Sequence, residues 1–165
     1  CDSKNSEKRK SCIIVLNIML ESLIKWFAPI LSFTTEEIFI LINKRKKSIH
    51  LEKFLDFPNS FENKELNEKW IELKKIRDIC NISIEAKRAS KEIGSSLEAN
   101  LQINLNEKLF KLIENTNFSE LCITSDAKIK KTVSEEVTAI ATKAEGKKCP
   151  ICWKINKSGC ERHPD

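Results

Sequence analysis

Four residues near the end of the chain have the types and spacing to hold a metal ion. They form two pairs, Cys149-x-x-Cys152 and Cys160-x-x-His163, separated by seven residues. A CxxC turn brings two thiolates to one side, where they converge about 2.3 Å from a zinc ion. Two such pairs supply four ligands and leave no open position, the pattern of a structural rather than a catalytic zinc site. The loop between them is short against the usual spacing of about twelve to twenty residues. It can still close, because an extended residue spans roughly 3.3 Å and Ser158-Gly159 lets the chain turn back. Trp153 and Ile155 are placed to shield the thiolates. A redox CxxC would need a strand before it and a helix after it, whereas Gly146, Pro150 and Gly159 mark loop on both sides.

The rest of the chain offers little for catalysis. It has two histidines and three glycines, so acid–base machinery is scarce and no glycine-rich phosphate loop exists. His50 lies in an apolar-rich stretch and reads as structural. Ser95-Ser96 has no histidine at a useful spacing, and no residue is singled out as catalytic.

Length and composition set the frame for these residues. At 165 residues, 41% apolar and 32% charged, the chain suits one soluble domain or two small ones. No run approaches the ~18 apolar residues of a membrane span. Cys1 opens the sequence without a methionine or a leader, which suggests a piece of a longer protein. Seven cysteines, four of them scattered as lone thiols expected to be buried, fit a reducing cytosol and a cytoplasmic protein better than a disulfide framework. The net charge of +5 is mild, and only local clustering makes a polyanion site. Clusters occur at Lys44–Lys47, which reads as a solvated loop, and in the tail at Lys143, Lys147, Lys148, Lys154, Lys157 and Arg162.

Periodicity supplies the supporting elements. Glu7–Phe27 reads as an amphipathic helix with Cys12, Leu16, Met19, Leu20, Leu23 and Phe27 on its apolar side. Pro29 ends it, and Thr34-Thr-Glu-Glu37 reads as a capping box starting a second short helix with Ile38, Phe39, Leu41 and Ile42 inward. Ser48–Pro58 is expected to be extended, packing Ile49, Leu51, Phe54, Leu55 and Phe57 onto this hairpin. A linker at Asn59–Asn63 precedes a long helix over about 65–92, with Leu66, Trp70, Leu73, Arg77, Cys80 and Ile84 on one stripe and Gly94 as its C-terminal stop. Residues 97–105 then alternate apolar and polar as a half-buried strand, followed by a short helix over 106–115. Strands are expected at Leu121–Thr124 and Val137–Thr142, with a weaker one at Ala127–Val133. The expected architecture is mainly α: a helical domain over 1–58, a long helix and small α+β junction over 59–144, and a zinc finger over 145–165.

In this order the pieces resemble the C-terminal part of bacterial isoleucyl-tRNA synthetases, over essentially the whole chain. Trp26-Phe-Ala-Pro-Ile-Leu-Ser-Phe-Thr-Thr-Glu-Glu-Ile-Phe39 is similar to the helix–proline–helix signature of class Ia anticodon-binding domains. Lys91-Glu-Ile-Gly-Ser-Ser-Leu-Glu-Ala99 resembles the isoleucine-specific region beyond that domain, and Lys143-Ala-Glu-Gly-Lys-Lys-Cys-Pro-Ile-Cys-Trp153 resembles the approach to the C-terminal zinc finger. The resemblance implies a parent enzyme that joins isoleucine to tRNA(Ile) using ATP, with catalytic and editing domains outside this chain, and a monomer. It also implies zinc ligation by Cys149, Cys152 and Cys160. His163 stands where the family usually has a fourth cysteine, Ile151 where it often has arginine, and the loop between pairs is shorter than in many relatives.

Residue chemistry agrees with an RNA partner. Single-stranded bases stack on aromatic or arginine planes while lysines neutralise phosphates. Lys147, Lys148, Trp153, Lys154 and Arg162 are the candidates, although Trp153 could instead pack over the metal as core. Two other classes stay open at this point: a DNA-binding finger of the glycosylase type, and a zinc-stabilised protein-interaction module.

Overall fold

The Ser6 hydroxyl accepts a hydrogen bond from the Arg9 amide at 3.1 Å and starts the first helix, α1 (Glu7–Phe27). Helix, Pro29 corner and second helix form the hairpin expected from sequence. The structure, a computed structural model, describes residues 5–43, 47–160 and 163. They divide into two units, residues 1–62 and 63–165.

In the first unit the second helix, α2 (Ser32–Asn43), begins before the expected capping box. The Ile30 and Leu31 amides already bond to the Phe27 carbonyl, so the chain is turning when it reaches Ser32. Thr35 is therefore inside the helix, where its buried hydroxyl donates back to the Leu31 carbonyl. Glu36, not Glu37, has the long-range role: its Oε2 accepts from the Ser48 hydroxyl and the Ile49 amide at 2.9 and 2.8 Å. That bond seats Ile49 in a core with Ile24, Ala28 and Phe39.

Other apolar residues of this unit do not follow the expected pattern. The α1 stripe of Cys12, Leu16, Met19, Leu20, Leu23 and Phe27 is exposed, as are Leu41, Ile42, Leu51, Phe54 and Phe57. The reason is geometric: α1 contributes only Ile24, with Ala28 just after it, to the core. Lys25 is buried and paired with Glu21 at 2.8 Å. His50 sits exposed in a short 3₁₀ turn, Ile49–Leu51. Of the Lys44–Lys47 cluster only Lys47 lies among the described residues.

The second unit is built on one long helix and one strand. Asn63 caps the helix α3 (Lys64–Ala89) by accepting from the Leu66 amide at 2.9 Å. Its buried face is Leu73, Ile76, Cys80 and Ile84, while Leu66 and Trp70 near its start are exposed. The helix stops earlier than the expected Gly94. Lys91 takes the left-handed conformation (φ 58°), held by Glu92 amide donation to the Lys87 carbonyl and a Lys87–Glu92 ion pair at 2.8 Å.

Strand β1 (Ala99–Leu105) lies in the middle of a three-stranded sheet, parallel to β2 (Asp126–Lys131) and antiparallel to β3 (Thr138–Lys143). The β1–β2 crossover contains helices α4 (Glu107–Ile113) and α5 (Phe118–Leu121). The expected strand at Leu121–Thr124 is instead the end of α5: Asn117 caps that helix, the Cys122 amide closes on the Phe118 carbonyl, and Ile123 turns left-handed at φ 55°. The weaker candidate at Ala127–Val133 is a true strand, because β1 offers it a parallel edge.

Alternation decides the sheet's two faces. Ala99, Leu101, Ile103 and Leu105 point inward and are buried with Leu73, Ile76, Cys80 and Ile84 of α3. The Ser83 hydroxyl accepts from the Ala141 amide at 2.8 Å, tying α3 to β3. Two of the scattered thiols are not alone: Cys80 and Cys122 are free thiols hydrogen-bonded to each other in this core, and that hydrogen bond together with burial pushes the Cys80 thiol far up. They behave as small apolar groups. No described helix is long and apolar enough to cross a membrane.

Ile103 is fully buried, so Ile103→Ala should cost the second unit about 2–5 kcal/mol of stability. Its neighbour Gln102 faces outward, and Gln102→Ala should change stability by less than about 0.5 kcal/mol. Urea unfolding of the two variants side by side measures the contrast.

Candidate metal centre and nucleic-acid interface

The last segment is a hairpin too small to hold itself by apolar burial. Strands β4 (Lys147–Lys148) and β5 (Ile155–Asn156) pair only as Lys147 with Asn156 and Lys148 with Ile155. Gly146 leads into it at φ 131°, and a Cβ there would stand 2.3 Å from the Asn156 carbonyl oxygen. Glycine is the residue that fits. Within the hairpin the Cys149 amide donates to the Lys154 carbonyl and the Trp153 amide to the Cys149 carbonyl, at 2.9 and 3.0 Å. This tight knuckle forces Trp153 into the left-handed region at φ 63°.

The knuckle and the returning chain bring the four expected ligands together. The ligand atoms of Cys149, Cys152, Cys160 and His163 all lie within 4.8 Å of one another. Cys152 Sγ to Cys160 Sγ is 3.6 Å, and His163 Nδ1 is 3.6 Å from Cys149 Sγ and 3.4 Å from Cys160 Sγ. Thiolates at about 2.3 Å and an imidazole nitrogen at about 2.0–2.1 Å from one tetrahedral centre would stand about 3.5–3.8 Å apart. These three edges fit that polyhedron, so the cluster could hold a metal ion. The amides of Cys152 and Ile151 point at Cys149 Sγ and lower its pKa to about 6, a thiolate ready for ligation. Burial pushes the Cys152 thiol up.

Side chains from the sheet region anchor the hairpin. Buried Ser125 accepts from the Ile155 amide at 2.6 Å while its hydroxyl donates to the Leu97 carbonyl at 2.5 Å. Lys154 Nζ reaches the Ser119 hydroxyl at 3.1 Å, and Lys148 Nζ stands 3.7 Å from Glu98. The Gly94 amide, and then the nearby lysines, hold the Glu98 carboxyl below its usual range. Sequence reasoning did not find Ser119 or Ser125, since a lone serine carries no spacing signal.

The basic and aromatic candidates fall into distinct places. Lys147 and Lys148 are exposed, and Trp153 is 59% exposed, so it is not core. Lys148 Nζ stands 5.9 Å from the Trp153 ring centroid, placing a cation beside an open aromatic face. Lys154 is half-buried and serves as an anchor. Arg162 lies outside the described residues.

A helical hairpin, a long helix on a small sheet and a Cys₃His knuckle beside an open basic and aromatic surface form a helix-rich module with an end that could hold a metal ion. A family model described as the anticodon-binding domain of tRNA ligase matches residues 1–105, well over half of the chain, and the chain belongs to that family. It is 70% identical over its whole length to the isoleucine–tRNA ligase of Pelagibacter ubique (strain HTCC1062), covering 18% of that relative. It is 34% identical to the isoleucine–tRNA ligase of Bartonella quintana (strain Toulouse), with 95% of the chain and 17% of the relative aligned. The corresponding enzyme of Agrobacterium fabrum (strain C58 / ATCC 33970) is 32% identical over 94% of the chain. The chain thus spans under a fifth of the length of the curated relatives it matches.

Two outcomes follow from this geometry. Gly146→Ala should loosen the hairpin, read as faster amide exchange over residues 147–156 with the sheet core unchanged. The second concerns pH. Because the folded state holds the Cys149 pKa at about 6, below the ordinary 9.0, the thiolate's contribution to stability is complete above pH 9 and is lost as pH falls toward 6. Zinc-loaded protein should therefore hold its metal near pH 7 and release it to a chelator as pH falls toward 6 and below, as measured by chelator absorbance across a pH series.

Proposed function

We propose that this chain is the tRNA-recognition and zinc-binding part of an isoleucine–tRNA ligase, a cytoplasmic, monomeric enzyme that attaches isoleucine to tRNA(Ile) using ATP. The observation that carries this reading is 70% identity along the entire chain to an isoleucine–tRNA ligase. The ATP site and the chemistry belong to parts of such a ligase other than this chain, consistent with the scarcity of catalytic residue types. Relatives named as tRNA ligases favour tRNA over duplex DNA or a protein as partner.

The proposed division of labour follows the sequence boundaries: 1–58 as helical anticodon-binding domain, 59–144 as junction, 145–165 as finger. Cys149, Cys152, Cys160 and His163 are the proposed ligands. Zinc, when bound, would supply a structural cross-link in a segment otherwise too short to fold, with no open position for substrate. The tRNA contacts are assigned to Lys147, Lys148, Trp153, Lys154 and Arg162. Among these, exposed Trp153 offers a stacking plane and Lys147 and Lys148 offer phosphate charge, while Lys154 contributes through the anchor to Ser119.

The test uses the ligase that contains this chain. Trp153→Ala should raise KM for tRNA(Ile) about tenfold, the loss expected for one stacked base, and leave isoleucine-dependent pyrophosphate exchange, which needs no tRNA, unchanged. An unchanged KM for tRNA would contradict the assignment. For the metal, elemental analysis should find one zinc per chain, and Cys149→Ser should lose it and unfold the tail while far-UV helicity persists.

A further inference from the structure

One buried hydroxyl joins three segments at the base of the finger. Ser125 stands at the corner between α5 and β2, where its own amide donates to the Ala99 carbonyl at 3.0 Å. Its side chain donates to the Leu97 carbonyl and accepts from the Ile155 amide. A serine hydroxyl has one proton to give, so donation to Leu97 leaves its lone pairs facing Ile155 and fixes the bond's direction. The corner that carries Ser125 is itself held. Ile123 turns left-handed, and Thr124 is fully buried with its hydroxyl on the Asp126 carbonyl at 3.2 Å.

The far end of this link is the finger's open surface. Ile155 pairs with Lys148 across the hairpin and follows Trp153 by two residues, so the amide that Ser125 grips sits between the cation and the aromatic ring. The other ties described above are softer. Lys154 reaches Ser119 and Lys148 reaches Glu98 through long side chains, and an exposed ion pair contributes little. Beside the joint, sheet and finger part into a cleft of about 480 Å³, where Asn100 faces a wall of Ile155, Asn156 and Lys157. Asn100 Oδ1 is buried there with no hydrogen-bond partner, so no donor of the finger closes that gap. A buried acceptor left unpaired is costly. The junction is thus pinned at Ser125 and open next to it.

We propose that Ser125 is a positioning residue for tRNA recognition: its hydroxyl sets the angle at which the finger presents Trp153 and Lys148, without itself meeting RNA. The inference rests on the tRNA reading above and adds to it a residue outside the finger. Removing the hydroxyl strips the Ile155 amide and the Leu97 carbonyl of their shared partner, and the hairpin is left to swing on its lysine ties and on the chain through Gly146. The four candidate metal ligands all belong to the finger, so they move with it and the cluster stays whole.

The test uses the ligase that contains this chain, with Ser125→Ala, Trp153→Ala and the double variant. Ser125→Ala should raise KM for tRNA(Ile) about fivefold to tenfold, approaching the loss of one stacked base, while kcat falls less than about twofold. In the Trp153→Ala background the same change should add less than about twofold, because the ring it aims is already gone. Elemental analysis should find the same metal content in every variant, and far-UV helicity should be unchanged. A wild-type KM in Ser125→Ala would overturn the inference. So would effects of the two substitutions that simply multiply, and so would loss of metal or helicity, which would make the hydroxyl a support of the fold and not of its aim. In each of these cases a raised KM in Trp153→Ala alone would leave the tRNA reading standing. If Trp153→Ala leaves KM unchanged, that reading of the finger falls and this inference falls with it.

Discussion

The period-two alternation of β1 is the constraint on which the second unit depends. Because successive side chains point to opposite faces, one strand both fills the core and presents a polar surface. Its inward residues meet α3, and its two edges recruit β2 and β3 in opposite directions. A slip of one residue would exchange the two sets, burying amides and exposing Leu101 and Ile103. The register is thus enforced by the core and not by the turns.

The finger follows a different logic. Two residues per strand and little apolar area cannot specify a fold, so geometry comes from a glycine with no room for a Cβ, a left-handed Trp153 and four candidate ligand atoms within 4.8 Å of one another. Ser125 then fixes the hairpin to the sheet through two short hydrogen bonds. That link makes the finger a wall of the cleft beside Asn100. One strained backbone position also has a functional consequence: the knuckle that orients Cys149 turns the Trp153 ring outward toward Lys148.

Much of this was legible in the sequence. Alternation showed β1 and its buried set, and the CxxC and CxxH spacing named all four clustered side chains. The first helix was placed at its observed limits. Its buried face was not, since periodicity shows which residues could be covered, and only Ile24 and Ala28 meet the hairpin core. The Thr34–Glu37 box misled because local capping preference lost to a turn already closed at Phe27. Leu121–Thr124 looked like a strand by composition, but Asn117 capped a helix there first. Ser125, Ser119 and Asn100 left no trace in spacing, because their roles come from contacts some 28 to 35 residues away or from the absence of one.

The exposed finger surface is proposed to meet tRNA. Hydroxyl-radical footprinting tests it directly, because oxidation reports side-chain access and Trp153 is both reactive and open in the free chain. With saturating tRNA(Ile) transcript, Trp153 oxidation should fall severalfold, while fully exposed Val133, at the far turn between β2 and β3, stays constant. Equal oxidation of Trp153 with and without tRNA would contradict the account.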